Sequence, residues 1–357
     1  MVYFPESIII TTVDGIQFKT FSNEHPEGFI IAKPKYIPTE YIFCDKLQCR
    51  NLFDNQVNRL NMWIDKEELS YYLEAFKENY PHYVYNSPHH QNWFFAIPQK
   101  AIKQIFDPKE GLKLLMNLPE KEIDEHLEAV IGFAKFLLNS GVSLDDLGIT
   151  FSTLVGHYDP NCSDINLVIY GKENGWKILN FLENAKHPKL RWKTEEEWLN
   201  FRQKRNRKNI FTESEFVKQF SRKKTEGFFG NKLFVLFPVE KEGEIENKWG
   251  EEEYTPLGFA EIEATIANND NSIFRPGSYS LKNAKSLKGK PLPIEKIVFY
   301  SRDYVLQAFP GEKIRAAGLL EKVKNKKTHK QYYRIVIGYF DSYTNERREK
   351  EYIKRIE

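Results

Sequence analysis

The segment GITFSTLVGH (residues 148–157) and, after five intervening residues, SDINLVIYG (residues 163–171) form the most informative stretch of this sequence. Residues 167–170 are a continuous apolar run, which is typical of a buried central strand. Asp164 stands where such a strand begins, and residues i and i+2 of a strand share one face. Asp164 and Asn166 are therefore predicted to lie on the same face, while the residues between and after them face the core.

The two segments resemble the metal-binding signature of nucleotidyltransferases of the DNA polymerase β-like superfamily. In that superfamily a strand ends in Gly-Ser, a short helix follows, and the next strand carries Asp-x-Asp. The sequence is similar in particular to an archaeal predicted-nucleotidyltransferase family, and the likeness spans most of the chain. Beyond the motif it covers segments near both ends, which are residues 14–18, 25–28, 35–38, 262–266, 272–276 and 311–335.

The resemblance implies an α+β fold, with a nucleotidyltransferase-like mixed-sheet core, a helical segment and flanking small β-rich, barrel-like domains. It also implies a site that uses magnesium and a nucleoside triphosphate. The metal ligands would be Asp164 and Asn166, and the catalytic residues would be these two with Glu263. The nucleotide-binding residues would be Ser152, Thr153 and Gly156, since the start of a helix is suited to bind a phosphate.

Two positions depart from the signature, and both departures oppose catalysis. Two-metal phosphoryl transfer requires carboxylates, because the ions must neutralise charge on the attacking and leaving oxygens, whereas the amide of Asn166 is a weak and neutral ligand. Phe151 stands where the family has the glycine that lets the backbone approach the triphosphate. The sequence therefore predicts a pseudoenzyme with weakened magnesium binding and with nucleotidyl transfer impaired or lost.

A third carboxylate is expected on a later strand. The first strong strand after the motif, residues 234–237, contains no acidic residue. Glu261 and Glu263 alternate on the strand predicted over residues 259–266, so they are the next candidates, and Glu263 is taken as the third catalytic carboxylate. The alternative is that both glutamates simply face solvent on a half-buried strand.

The composition indicates a globular chain without a secretory or membrane segment. The length of 357 residues is enough for two to three domains, and 41% of the residues are apolar. No run approaches the 18 apolar residues of a membrane helix, and three cysteines make a poor disulfide framework. The expectations are a cytoplasmic location and no membrane partner. The net charge of +2 does not by itself indicate a partner.

Changes in periodicity along the chain predict four units. Short strands at residues 7–12, 16–20, 28–32 and 40–43 indicate a small N-terminal β domain over residues 1–62. A helical segment is predicted over residues 63–146, with helices at 67–80, 101–106, 112–116 and 123–138. The transferase-like core would occupy residues 147–237 with a basic helical insertion, and a β-rich domain would occupy residues 238–357.

Positive charge is concentrated between residues 186 and 224, where 13 Lys or Arg stand against 5 Glu. This local excess of +8 indicates a polyanion partner, because basic side chains neutralise phosphates. The aromatic residues of this segment could stack on bases, but helical spacing favours a core role for them. A second basic run lies in a predicted hairpin tip at residues 322–330. The predicted RNA-binding residues are Arg202, Lys204, Arg205, Arg207, Lys208, Arg222, Lys223, Lys224, Lys326 and Lys327.

Three hypotheses of function follow from these patterns. The leading one is a nucleotidyltransferase-fold protein that binds structured RNA or a ribonucleoprotein, with transfer impaired or lost. The second is an active magnesium-dependent transferase acting on RNA, a protein or a small molecule. The third is a structural assembly protein with a protein partner, in which the basic patches are incidental.

Overall fold

The computed structural model describes residues 3–38, 48–52, 55–59, 66–204, 210–246, 248–339, 341–342 and 346–356. Within these ranges three β-sheets combine with helices, so the predicted α+β class is confirmed. Predicted features at residues 40–43 lie outside the described residues. No helix in the described ranges is long and apolar enough to cross a membrane.

The first sheet has eight strands and lies in the N-terminal third of the chain. Its strands are β1 (Ile9–Thr12), β2 (Gln17–Thr20), β3 (Phe29–Pro38), β4 (Gln48–Leu52), β5 (Asn55–Arg59), β6 (Val84–Ser87), β7 (Asn92–Pro98) and β8 (Ile102–Phe106). The main path runs β4-β5-β3-β2-β1-β8, and β7 pairs with β3 and β6. Helix α1 (Lys66–Asn79) buries Leu69, Leu73 and Phe76 in the core of this sheet, as its apolar spacing predicts.

The helix predicted over residues 101–106 is wrong, because residues 102–106 form strand β8. Its apolar residues are spaced as on a helix, yet β8 pairs antiparallel with β1, and Ile9 stands opposite Phe106. Backbone pairing with a strand far away in sequence has overridden the local periodicity. The segment predicted to be helical, residues 63–146, therefore also contributes β6, β7 and β8 to the first sheet.

The second sheet has five strands, and it carries the quoted motif. Its strands are β9 (Leu147–Ile149), β10 (Ile165–Tyr170), β11 (Leu190–Arg191), β12 (Glu226–Phe229) and β13 (Lys232–Val239). The order is β11-β12-β13-β10-β9, with β10 and β13 parallel and the other pairs antiparallel. The helices of this part are α2 (Pro108–Met116), α3 (Glu125–Leu138), α4 (Phe151–Leu154) and α5 (Lys172–Asn184).

Helix α3 covers one face of the second sheet. It begins after Asp124, whose carboxylate accepts a hydrogen bond from the Leu127 N–H at 2.8 Å, as expected of an N-cap. Phe133 of α3 packs with Phe234 of β13 in the core cluster that also contains Ile165, Leu167 and Ile169 of β10. Alternate residues of β10 thus face α3, which leaves Asn166 on the opposite face.

Gly148 of the motif is required by close packing between β9 and α2. A Cβ atom at this position would lie 2.7 Å from the backbone carbon of Pro108 and 2.9 Å from its carbonyl oxygen. Any larger residue would therefore push the start of α2 away from β9, and with it the edge of the second sheet.

The third sheet has six strands and closes on itself. Its strands are β14 (Glu252–Asn268), β15 (Gly277–Lys288), β16 (Ile294–Phe299), β17 (Lys313–Asn325), β18 (Gln331–Ile337) and β19 (Tyr352–Ile356), and the short helix α8 (Arg347–Lys350) precedes β19. The order is β14-β15-β16-β18-β17-β19, and β14 also pairs with β17. This extra pairing joins the first and fifth strands of the order, so five of the six strands form a closed, barrel-like sheet.

Two helices follow the second sheet's strand β11 in the basic segment, and they enclose an aromatic core of their own. They are α6 (Glu195–Lys204) and α7 (Glu213–Phe220). The buried rings are those of Trp198, Phe211, Phe216 and Phe220, with Phe201 partly buried against them. Phe216 and Phe220 stack with their ring centres 4.0 Å apart. The interpretation of these aromatic residues as core is confirmed.

His25 connects the start of the chain to β3, and its environment predicts a pH dependence of stability. Its Nε2 lies 2.7 Å from the Phe4 carbonyl oxygen, and its Nδ1 accepts a hydrogen bond from the Ile31 N–H at 3.0 Å. Burial lowers the pKa of His25 to about 4 from 6.5, although the bond to Phe4 opposes this shift. The unfolded chain therefore takes up a proton first as the pH falls, which favours unfolding.

We expect His25→Gln to be less stable than the wild type at pH 7. The difference between their free energies of unfolding should shrink by about 2 to 3 kcal/mol as the pH falls from 6.5 toward 4. The change removes the group that must lose its proton on folding. Urea denaturation of both proteins at several pH values measures the difference. His329→Asn, in an exposed turn, is the control and should show a constant difference. A constant difference for His25→Gln would contradict the prediction.

Candidate functional site

The second half of the motif forms strand β10, and the first half forms the short helix α4, as the sequence predicts. Asp164 immediately precedes β10, and Asn166 is its second residue, 9% exposed. The Thr150 N–H donates to the Asn166 carbonyl oxygen at 3.1 Å, so the junction between β9 and α4 lies beside Asn166. On the face of Asn166 the strand continues with Val168 and Tyr170, which form a small apolar cluster.

The residues on this face do not fit a pair of magnesium ions. The Nδ2 of Asn166 donates to the backbone carbonyl oxygen of Asp164 at 3.1 Å, so the amide is engaged with its own strand. In the parallel register Asn166 stands opposite Val235, which is an apolar residue where a third carboxylate would be needed. Among the described residues there is no group of three or more His, Cys, Asp or Glu that could hold a metal ion.

Glu263, the predicted third carboxylate, belongs elsewhere. It lies on β14 of the third sheet, and its carboxylate pairs with the guanidinium of Arg315 at 2.5 Å. The prediction is corrected for a simple reason. Alternation on a strand indicates which face a residue occupies, but it does not indicate which sheet the strand joins.

Phe151 replaces the glycine of the signature with consequences for the backbone and for space. Its φ is +58°, the left-handed region that glycine adopts freely, and a side chain there costs about 1 to 2 kcal/mol. Its ring packs edge-on against Phe237, with the ring centres 4.9 Å apart. The ring therefore occupies space beside Asn166 that a glycine would leave open.

The predicted nucleotide-binding residues are occupied by internal contacts. Thr153 is buried, and its hydroxyl lies 2.9 Å from the Nε2 of His126 on α3. The Ser152 carbonyl accepts from the His157 N–H at 2.7 Å, and the Gly156 N–H donates to the Thr153 carbonyl at 3.3 Å. Helix α4 has only four residues. The Thr153 hydroxyl is thus engaged with His126, and the Gly156 N–H is engaged in the turn after α4. The assignment of the Ser152 hydroxyl as a nucleotide ligand stays a prediction.

Basic side chains from the first sheet and from the segment that follows β16 converge on the face of Phe151 and Phe237. The Nζ of Lys35 lies 3.6 Å from the centre of the Phe151 ring, and that of Lys19 lies 4.5 Å from it. Lys19 is also 5.0 Å from the centre of the Phe237 ring, and the guanidinium carbon of Arg302 is 3.9 Å from it. These contacts bring cations to the motif.

Lys33 extends this set of cations, because it pairs with Lys19 in the register of β2 and β3. Burial lowers the pKa of Lys19 well below its usual value, and the charge of Arg302 lowers it further. Burial likewise lowers the pKa of Lys33, and Lys19 and Arg348 add to the effect. The group of Lys19, Lys33, Lys35 and Arg302 is called the cation cluster below. Sequence reasoning missed it, although Lys33 and Lys35 alternate with buried residues on β3.

A carboxylate approaches one side of the cation cluster. Glu6 is 3% exposed, and it pairs with Lys19 at 2.7 Å and with Arg275. His157 lies near Lys35 on the other side, and burial followed by the charge of Lys35 lowers its pKa to about 4. The neutral His157 packs edge-on against Tyr36. Lys19 thus has a carboxylate partner, whereas the group near Lys35 is the neutral ring of His157.

Several predicted RNA-binding residues are structural. Arg202 is 8% exposed, donates to the Phe211 carbonyl oxygen at 2.6 Å and pairs with Glu213. Lys223 is 3% exposed and pairs with Glu226 at 3.0 Å. These two assignments are corrected, because a side chain enclosed in this way cannot reach a phosphate on another molecule. Local sequence could not distinguish them from exposed basic residues.

The remaining predicted RNA-binding residues include two that are held by neighbouring side chains and two that are exposed. Arg222 pairs with Glu312 at 2.8 Å, and burial lowers the pKa of Lys224, whose Nζ lies 4.5 Å from the Trp192 ring centre. Lys326 and Lys327 are exposed in the turn between β17 and β18, as predicted for a hairpin tip. Arg205, Arg207 and Lys208, together with the side chain of Lys204, lie outside the part of the chain that the structure describes.

An open groove of about 930 Å³ lies between α7 and the third sheet. Its basic lining residues are Lys218, Lys288, Arg315, Lys350, Lys354 and Arg355, and its acidic ones are Glu215, Glu261 and Glu349. Two of the acids have partners within the groove, since Glu215 pairs with Lys354 at 2.9 Å and Glu261 accepts a hydrogen bond from the Tyr352 hydroxyl at 2.5 Å. Three of the basic residues also pair with acids beside the groove, namely Arg315 with Glu263, Lys350 with Glu346 and Arg355 with Glu312. The lining thus has more basic than acidic side chains, but half of its basic side chains are compensated at the rim.

Comparison with known proteins finds a relative across almost the whole chain. An uncharacterized protein of Methanocaldococcus jannaschii, MJ1086, is 30% identical over 336 residues, which are 92% of this chain and 94% of that protein. No protein-family model matches the chain, and no solved structure matches it.

Proposed function

We propose that this chain, which belongs to the same protein family as the Methanocaldococcus jannaschii protein MJ1086, is a nucleotidyltransferase-fold protein that binds structured RNA and has lost nucleotidyl transfer. The proposal has three parts, which are the fold of the core, the loss of the metal pair and the binding of RNA. Each has its own support in the second and third sheets.

The order and pairing of the elements around the motif support the first part. Strand β9 is followed by the short helix α4 and by β10, and Asp164 lies at the start of β10, as in the superfamily's signature. A later strand, β13, lies parallel to β10 and next to it. This is the arrangement in which a further strand could bring another catalytic residue to the same face.

The pairing of Asn166 with Val235 is the observation that carries the loss of transfer. A two-metal site needs several carboxylates on adjacent strands, and here the two adjacent positions hold an amide and an isopropyl group. Phe151 then fills part of the same space. Three departures at one place would each reduce metal or triphosphate binding, so we take transfer to be lost rather than slow.

The basic groove supports RNA as the partner. Its cations come from α7, β15, β17 and the C-terminal segment, so they form one surface although they are far apart in sequence. A groove of this size admits a nucleic acid backbone, and several cations along it can each neutralise a phosphate. The lysines at the tip of the β17–β18 hairpin offer a second, separate basic surface.

We expect the triple change Lys218→Gln, Lys288→Gln and Lys350→Gln to weaken binding of a structured RNA and to make its salt dependence shallower by about two to three units on a log–log scale. These lysines are exposed, so the fold should be retained. Filter binding or fluorescence anisotropy from 50 to 300 mM KCl measures the slope. Weakening should be similar for unrelated sequences, because phosphate contacts do not read bases.

The matched control is Lys100→Gln, Lys103→Gln and Lys121→Gln, which removes the same charge from exposed positions away from the groove. It should leave the slope unchanged. An unchanged slope in the groove variant, together with a shallower one after Lys326→Gln, Lys327→Gln and Lys330→Gln, would transfer the RNA surface to the hairpin. No binding of RNA at low salt would favour the structural assembly hypothesis instead.

A further inference from the structure

We infer that a cavity between the loops of the first sheet and the third sheet binds a free α-amino acid with an apolar side chain. The cavity has a volume of about 170 Å³, and a cavity of roughly 150 Å³ already holds benzene. Glu240, which directly follows β13, is one of its lining residues. The cavity thus lies at the carboxyl end of β10 and β13, away from Asn166 at the start of β10. The inference goes beyond the proposed function and does not depend on it.

One face of the third sheet forms one side of the cavity. Residues two apart on a strand share a face, and three strands each contribute such a pair. The pairs are Glu252 and Tyr254 of β14, Lys296 and Val298 of β16, and Tyr332 and Arg334 of β18. Residues 22–24, His90 and parts of the segment between β13 and β14 complete the lining. Elements far apart in sequence therefore build a single enclosed space.

Lys296 gives this space a positive charge that the protein itself leaves without a close partner. Its ammonium group makes no hydrogen bond or ion pair with any residue that the structure describes. Burial lowers the pKa of Lys296, although the charges of nearby glutamates oppose the shift. Arg334, its neighbour in the register of β16 and β18, is compensated, because it pairs with Glu321 at 2.9 Å. An anionic ligand group beside Lys296 would therefore be stabilised.

Glu240 gives the same space a negative charge. Its carboxylate accepts a hydrogen bond from the Asn23 amide at 2.8 Å, but it has no ion pair within the described part of the chain. Burial raises the pKa of Glu240 to about 7, although the bond from Asn23 opposes the shift. Glu240 and Lys296 interact electrostatically without pairing directly, so a ligand can lie between them. A zwitterion would bring an ammonium group to the one and a carboxylate to the other.

The remaining lining residues favour an apolar side chain on this zwitterion. The apolar ones are Ile245, Trp249, Phe274, Pro276 and Val298. Two polar atoms of lining residues, Trp249 Nε1 and Asn271 Oδ1, are buried without a hydrogen-bond partner among the residues described. A small-molecule site typically combines apolar walls with a few polar groups that fix the orientation of the ligand. An α-amino acid has both charges on one small unit and an apolar part besides.

Calorimetric titration of the full chain with L-leucine, L-methionine and L-phenylalanine tests the inference. We expect at least one of them to bind with saturation. The amine that lacks its carboxylate, and its N-acetyl derivative, should each bind at least about tenfold more weakly, because each leaves one buried charge without a partner. This comparison uses the wild type alone, so it does not depend on the folding of a variant.

Substitutions at the two charges assign the ligand groups. Lys296→Gln should weaken binding of the amino acid at least about tenfold but should not weaken binding of the amine, which has no carboxylate to lose. Glu240→Gln should weaken both, because both carry the ammonium group. The matched controls are Lys285→Gln on β15 and Glu295→Gln on β16, which are exposed and outside the lining. They should bind as the wild type does, and circular dichroism verifies that each variant is folded.

Four results would overturn the inference. They are no saturable binding of the three amino acids at millimolar concentration, equal affinity of the wild type for an amino acid and its amine, equal weakening of both ligands in folded Lys296→Gln, and binding of free guanine or adenine instead. The proposed function fails separately. The groove variant of the preceding subsection should lose affinity for RNA and bind the amino acid normally.

Discussion

Replacing Glu226 by glutamine is expected to lower the free energy of unfolding by about 3 to 5 kcal/mol. The Glu226 carboxylate lies 2.8 Å from the Nζ of Lys193 and 3.0 Å from that of Lys223, and the exposed fractions of the three side chains are 8%, 7% and 3%. Because both lysines are buried with it, removing the carboxylate charge leaves two ammonium groups without compensation. Urea denaturation at pH 7 measures the loss.

An exposed ion pair supplies the matched control for this prediction. Glu197 contacts Arg191 at 2.9 and 3.0 Å, but their side chains are 31% and 47% exposed. Water already solvates both groups, so Glu197→Gln should cost no more than about 1 kcal/mol. A Glu226→Gln variant that is no less stable than Glu197→Gln would contradict the assignment of a buried ion triad.

The pH dependence of the free energy of unfolding gives a second test of the role of Glu226. Burial alone would raise the pKa of Glu226, but Lys223 and Lys193 hold it well below its usual value of 4.5. The folded pKa is thus below the unfolded one, and the contribution of the carboxylate is present above pH 4.5 and lost as the pH falls below it. The stability difference between the wild type and Glu226→Gln should narrow over that range.

Glu226 also connects the stability of the fold to the candidate site. Lys223, which it neutralises, donates to the carbonyl oxygen of Arg302 at 2.9 Å. Arg302 is one of the four residues of the cation cluster. If the triad loosens, Arg302 should lose part of its support.

The second large effect is expected from rebuilding the metal site. The unmodified chain should transfer no nucleotide above background with Mg²⁺ or Mn²⁺. The triple change Phe151→Gly, Asn166→Asp and Val235→Asp should raise affinity for Mn²⁺ by at least about 100-fold, because it supplies two carboxylates beside Asp164 and removes the ring. Calorimetry with Mn²⁺ measures the affinity, and α-labelled nucleoside triphosphates measure transfer, which we expect to rise from background.

The double change Phe151→Gly and Asn166→Asp separates the contributions. It restores one ligand and places at residue 151 a glycine, which adopts the φ of +58° without strain. We therefore expect a smaller gain in Mn²⁺ affinity and in transfer than with Val235→Asp added. Asp164→Asn in the triple variant is the control and should abolish the gain. Robust transfer by the unmodified chain, lost on Asp164→Ala, would show that Asn166 and Phe151 do not prevent catalysis.

Local sequence patterns were sufficient to predict the helices and strands whose buried face follows from the periodicity of their own residues. The apolar run of β10 and the capped, amphipathic α3 are where the sequence predicts them, because periodicity reports which face of an element is buried. The aromatic core of α6 and α7 follows from helical spacing for the same reason. The face that Asn166 occupies on β10 also followed from the period of two, whereas a shared face for Asp164 and Asn166 stays a prediction, because Asp164 precedes the strand.

The assignments that failed are those that depend on which distant segments meet. Residues 101–106 become a strand because β1 pairs with them, and Glu263 lies in another sheet because β14 pairs with β17. Arg202 and Lys223 have the same side-chain chemistry as exposed basic residues, and only their neighbours Phe211 and Glu226 make them internal.

By itself the sequence determined that Asn166 lies on a buried strand and that Phe151 and Asn166 stand where the signature it resembles has glycine and aspartate. Only the tertiary structure decided what surrounds that motif. Val235 stands opposite Asn166 through the register of two parallel strands. Lys19 and Lys35 reach Phe151 from the first sheet, and Arg302 reaches Phe237 from the segment after β16. The physical reason is that electrostatic and packing partners are set by distance in space, and these partners are separated by up to hundreds of residues along the chain.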